Sequence, residues 1–315
     1  AAFTELRRRH GGTVDAVASL AVLAKGTASS ITGTTLTAGE DIALKSTLGT
    51  TIITSVAAGD DAIVLAGTRA TLPNSRVTGL GADDREVTFT SGIGFANTDS
   101  YTRGNIVADV GTDLVLGTAV AVGSGNAGSV VGRAGGTVSV NFVSATQDLA
   151  LRGGGDVTVT KAFAGDDIEL VSAGGSIRFD EGSAGGGVDD NTRVDFGGAK
   201  IAIATTEDHL GHNFIADALT DVTLGTGTTT VSAQNSLAAR ATNGSITGFT
   251  LSAGEDVATR SGGTTSISAV QAGDDVDVTA IGDASLVDAR SRGTGADTRR
   301  VDFGNAGRIG DRKSV

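Results

Sequence analysis

The stretch "AGDDIELVSAGGSI" (Ala164–Ile177) decides how the rest of the chain is read. Its middle, Asp167-Ile-Glu-Leu170, alternates apolar and polar residues with a period of two, which is the pattern of a strand with one face in and one face out. Its flanks, Ala-Gly-Asp-Asp and Ala-Gly-Gly, have the composition of tight turns. The first flank is not unique. AGDD recurs at Ala58–Asp61 and Ala272–Asp275, and AGED stands at Ala38–Asp41 and Ala253–Asp256. Five copies are too many for one binding site and suit a corner that the chain turns repeatedly. At such a corner glycine is expected to supply a positive φ, and aspartate to accept backbone N–H groups just ahead of it.

Outward from that stretch, the motif Asp-apolar-any-apolar starts at Asp41, Asp113, Asp148, Asp156, Asp167, Asp221 and Asp275. The corner glycines fall 20 residues apart at Gly39 and Gly59, and 19 apart at Gly254 and Gly273. A longer period lies over this one. Ser30–Leu44 matches Ser245–Thr259 at an offset of 215, Asn105–Ala119 matches Asn213–Gly227 at 108, and Phe89, Phe196 and Phe303 stand 107 apart. Short strands, tight turns and a coil of about 20 residues predict an all-β parallel β-helix, a solenoid. Its units are read as 1–104, 105–212 and 213–315 of one continuous stack. Five coils per unit would give about 15 coils, a rod roughly 70 Å long at the spacing of hydrogen-bonded strands.

Composition agrees with a thin core. The 315 residues include 48 Gly, one Pro, ten Phe and one Tyr, with no Trp, Met or Cys. Aromatic side chains ordinarily dominate core burial, so Val, Ile, Leu and Ala must fill this one in narrow layers. The absence of cysteine excludes disulfides and thiol chemistry. A formal charge of −12 argues against nucleic acid as a partner, and no apolar run is long enough to span a bilayer. The chain opens on "AAFTELRRRH", without a signal peptide's apolar stretch. It opens and closes in mid-unit without polar caps, the pattern expected of a segment of a longer protein or of a subunit stacking end to end.

"AGDDIELVSAGGSI", "AGEDIALKSTLGTTI" and "AGEDVATRSGGTTSI" resemble the haemagglutinin-type repeats of secreted filamentous adhesins, the family typified by filamentous haemagglutinin and related two-partner-secretion exoproteins. The resemblance covers most of the chain and implies an extracellular or cell-surface β-helical fibre. Adhesion or display would be its work, and its partners other copies of itself or a host or neighbouring cell surface.

Longer loops break the run of coils. One set precedes the Phe landmark, at Arg69–Asp84, Asp180–Asn191 and Asp288–Asp297; the other is Asn97–Gly104 and its counterpart Thr205–His212. Their mix of Arg and Asp suits rod–rod or rod–surface contacts, or plain solvated bulges. Candidate sites are few. The acid pairs Asp60/Asp61, Asp166/Asp167 and Asp274/Asp275 offer clustered oxygen ligands for calcium, which makes a calcium-dependent binding module the alternative reading. The consecutive nine-residue repeats of a calcium-binding β-roll are absent, and turn chemistry explains the same acids. His209-Leu-Gly-His212 lacks a third zinc ligand. A sugar-active β-helix enzyme would need two carboxylates set apart across a cleft, and no such pair stands out from the repeat. No catalytic residue and no cofactor are expected.

Overall fold

The computed structural model describes residues 30–79, 104–123, 128–187 and 211–293, with short strands at 4–7, 12–13, 16–18, 22–26, 94–95, 194–195, 204–205 and 301–302. Among these residues there is no helix. The chain winds as a β-solenoid through two large sheets, one of 12 and one of 14 strands, in which every neighbouring pair is parallel. Each coil gives the first sheet a five-residue strand, such as Ile42–Ser46, Val130–Ala134 or Ile168–Ser172, and the second an eight-residue strand, such as Thr51–Ala58 or Val138–Ala145.

The eight-residue strands do not alternate evenly from end to end. In Thr51–Ala58 the buried residues are the first, third, sixth and eighth. Two successive outward residues in the middle reset the alternation, so the strand bends there. The register confirms it: Leu116 pairs with Val140 and Thr118 with Phe142, with the intervening Gly117 left out of the ladder. Pro73 occupies this bend position in Ala70–Val77, where its missing N–H takes nothing from the ladder. In the coil holding Val222–Leu224 and Thr230–Ala233 the bend opens into a break between two strands.

Register fixes the coil count. Ile42 pairs with Ala62, Ile106 with Val130 and Leu149 with Ile168, steps of 19 to 24 residues. Two steps are much longer: Ala62 pairs with Ile106, and Ile168 with Phe214. Across both long steps the flanking strands pair directly with one another in the second sheet as well, Ala70 with Leu114 and Ile177 with Val222. The stack therefore has about ten turns and not fifteen, a rod of about 50 Å. Dividing the 107-residue period by the coil length mistook each insertion for a coil; the two long steps are four coils apart.

The insertions differ from expectation in a second way. Ala70–Val77, Ile177–Ala184 and Ala284–Ser291 are strands of the second sheet, so the first set of predicted loops begins several residues later than the glycine and aspartate content suggested. The insertions also bond to one another. Gly94–Phe95 pairs antiparallel with Val194–Asp195, and Ala204–Thr205 with Val301–Asp302. The strand beside one Phe landmark is thereby tied to the insertion before it.

Inward residues of both sheets form one continuous core from Ile31 to Ala272. Each buried Leu or Ile contributes about 2 kcal/mol. Phe179 and Phe214 meet edge to face across the interior, centroids 4.8 Å apart. Outward residues of the two sheets behave differently. In the second sheet they alternate toward solvent, with Ile52 and Phe163 exposed. In the first, outward residues at the second position of the strands, among them Ala43, Val131 and Ile215, are buried too. These strands carry the near-continuous apolar runs of a parallel sheet covered on both faces.

Candidate functional site

The corner leading into the first sheet carries a column of short polar residues: Asp41, Asp61, Asn105, Ser129, Asp148, Asp167 and Asn213 on successive coils. Each is an acceptor for the next coil. The N–H of Asp61 donates to Asp41 Oδ1 at 3.1 Å, that of Asn105 to Asp61 Oδ1 at 2.8 Å, and that of Ser129 to Asn105 Oδ1 at 3.1 Å. The series continues through Asp148, Asp167 and Asn213 to Ser236, and again from Asp256 to Asp275. The corner leading into the second sheet repeats the device: Thr137, Ser176 and Ser245 donate their N–H groups to Asp113, Asp156 and Asp221. The motif aspartates thus divide between two corners, and they cap across coils, not within their own turn as the sequence reading expected. An Asx side chain facing the next coil's amide satisfies a donor that the bend leaves outside the sheet ladder.

Glycine at these corners also differs from expectation. Gly39, Gly59, Gly165, Gly254 and Gly273 do not have positive φ. A Cβ on Gly59 would lie 1.8 Å from the carbonyl oxygen of Gly39, on Gly165 1.9 Å from that of Thr146, and on Gly273 1.7 Å from that of Gly254. Close approach of one coil to the previous one, not backbone handedness, demands glycine there.

The acid pairs named from the sequence are brought together with a third acid from the preceding coil. Asp60 and Asp61 meet Asp41, Asp166 and Asp167 meet Asp148, and Asp274 and Asp275 meet Asp256; in each triad one carboxylate oxygen per residue lies within 4.8 Å of the others. The first two triads are buried and the third is partly open. Backbone donors surround them. Asp60 Oδ1 accepts the N–H of Gly104 at 3.1 Å, and Asp166 Oδ1 that of His212 at 2.5 Å. These amides belong to the residues where the insertions rejoin the stack, so the first acid of each buried pair anchors an insertion's return. Oxygen-only, multi-carboxylate surroundings are those a calcium ion takes.

His212 has φ 67°, the one non-glycine positive φ among the described residues, and it stands where the earlier insertion has Gly104 at φ 72°. Its Nε2 lies 3.3 Å from the carbonyl oxygen of Gly187 and 4.0 Å from Asp166 Oδ1. The backbone N–H bond to Asp166 holds this turn. His209 lies outside the described residues. Of the basic run, Arg7 ends the strand Thr4–Arg7.

Two further carboxylates respond to their surroundings. The N–H and hydroxyl of Thr137 hold the Asp113 carboxyl below its usual range. Burial, and then the charge of Asp275, push the Asp277 carboxyl up, against a hydrogen bond from Thr279. A raised folded-state value means stability that is present below the unfolded value and lost as pH rises through the folded one. Asp277→Asn is therefore expected to raise the melting temperature at neutral pH, with the difference vanishing below about pH 4; equal melting curves at pH 7 would contradict the assignment.

In comparisons with protein-family models, curated proteins and solved structures, none matches this chain. No helix among the described residues is long and apolar enough to cross a membrane. The functional positions that sequence reasoning missed are Asn105, Ser129 and Asn213. Their signal was present, since each directly precedes an apolar run in the way the motif aspartates do.

Proposed function

We propose that this chain is a length of structural shaft, part of an extracellular fibre or adhesin filament built of stacked β-coils and related to the haemagglutinin-repeat exoproteins. Three units of about 107 residues, extended end to end or within a longer chain, make up the filament in this reading. One observation supports it: the same corner acceptors recur on coil after coil along the stack, which suits a load shared along a rod more than chemistry at one place. Electron micrographs of the native material are expected to show thin rods or filaments; compact globular particles would overturn the reading. No catalytic role is part of it.

The carboxylate triads favour a second reading, a calcium-dependent binding module displayed on the same rod. It requires millimolar calcium to raise the melting temperature markedly and EDTA to reverse the rise. A melting curve indifferent to both disposes of it and leaves the shaft standing.

A further inference from the structure

Asn243 and Gly244 are the only Asn-Gly pair in the sequence. They stand at the corner between the strands Leu237–Ala241 and Ile246–Ala253, where the chain passes from the first sheet to the second. The corner is tied to its neighbours on both sides of the pair. The N–H of Asn243 donates to the Leu219 carbonyl at 2.9 Å, and the Gly244 carbonyl accepts the N–H of Gly263 at 2.7 Å. The N–H of Ser245 donates to Asp221 Oδ1 at 2.8 Å. The peptide unit between the two residues is different. Among the described residues its two polar groups, the Asn243 carbonyl and the Gly244 N–H, make no hydrogen bond, and neither does the exposed Asn243 side chain. That unit can rotate while the bonds on either side stay in place.

The other described asparagines are set differently. After Asn105, Asn213 and Asn235 the next N–H is committed to a neighbouring coil: Ile106 to the Ser129 carbonyl at 2.9 Å, Phe214 to that of Ser236 at 3.0 Å, and Ser236 to Asn213 Oδ1 at 3.1 Å. Asn74 and Asn141 lie inside strands, where Ser75 and Phe142 pair with the coils on both sides.

We propose that Asn243 is a modification site, deamidating in the folded chain through a cyclic imide. The Gly244 nitrogen gives its proton to solvent base and bonds to Asn243 Cγ. The Cγ–Nδ2 bond breaks, and the nitrogen leaves as ammonia after taking a proton from water. Glycine has no Cβ to crowd the closing ring. Water then opens the imide at either carbonyl, leaving aspartate or isoaspartate, and nothing is oxidised or reduced. The isoaspartate form routes the main chain through the former side chain. It lengthens the span between the points tied to Leu219 and Gly263 by one methylene, so coil-to-coil bonding is disturbed there.

The test is storage of the full chain in mildly alkaline buffer at physiological temperature, followed by peptide mass mapping and isoaspartate detection. A peptide of the sequence Arg240–Thr247 is stored beside it. Conversion at Asn243 is expected at no less than about a tenth of the peptide's rate, because no coil has to open first. Asn243→Gln, which would have to close a larger ring, should lose the conversion, and the isolated isoaspartate form should melt a few degrees below the parent. Slower conversion in the folded chain overturns the proposal, as does conversion at Asn74, Asn105, Asn141, Asn213 or Asn235 as fast as at Asn243. An isoaspartate form that melts with the parent overturns the claim that the corner's span is fixed.

Discussion

Gly154→Ala is expected to destabilise the solenoid by about 3 kcal/mol, lowering its melting temperature by roughly 10 °C, while Gly155→Ala next to it has almost no cost. A Cβ on Gly154 would lie 2.0 Å from the carbonyl oxygen of Gly135 and 2.8 Å from its carbonyl carbon. The methyl group cannot be accommodated by a rotamer change, because what it meets is backbone. The coil must lift off its neighbour, and the bond from the Gly154 N–H to Ala134, 2.9 Å long, stretches with it. At Gly155 the nearest atom would be 3.5 Å away, an ordinary contact, and φ is not positive. There alanine narrows the unfolded ensemble and is expected to stabilise by about 0.5 kcal/mol. Thermal unfolding followed by circular dichroism separates the two. Equal effects at both positions would show that coil-to-coil contact is not what selects glycine.

The second large effect concerns Asp167, which belongs both to the corner column and to a carboxylate triad. Its Oδ1 accepts the Asn213 N–H at 2.7 Å, in a buried setting. Asp167→Ala removes the side-chain oxygen that accepts this amide and is expected to cost about 1–3 kcal/mol, the penalty of a buried donor left unsatisfied. Asp167→Asn keeps an acceptor oxygen. The chain itself places asparagine in this column at Asn105 and Asn213, so in metal-free buffer the variant should melt close to the parent. With calcium the two readings part. If the triads bind the ion, Asp167→Asn loses a charged ligand and the bound calcium falls from three ions to two; if the acids are corner acceptors alone, calcium changes neither protein.

Much of the architecture was legible because a β-coil writes itself locally. Asp167-Ile-Glu-Leu170 displays its alternation, its corner and its spacing within a few residues, and the parallel solenoid follows from repetition of that text. The coil count was not legible. An insertion of nearly a coil's length, rich in the same glycine and aspartate, has no local feature that distinguishes it from a coil; only register, Ala62 against Ile106 and Ile168 against Phe214, tells them apart. The role of the corner residues was half legible. Sequence shows that Gly59 and Asp61 stand at a turn, but whether they serve their own turn or the adjacent coil depends on atoms about 20 residues away. The third acid of each triad was hidden for the same reason: Asp41 is remote from Asp60 in the chain and adjacent to it in the stack.

The corner column has a grammar. Asp41, Asp61, Asn105 and Ser129 are followed by Asp148, Asp167, Asn213 and Ser236 in the same order. Asp61 and Asp167 each present an oxygen to an asparagine, so one four-coil block can succeed another without any amide at the seam meeting an unfamiliar neighbour. Gene duplication or loss can therefore lengthen or shorten such a shaft in whole blocks, in increments of about 19 Å, whereas gain or loss of a single coil would scramble the order.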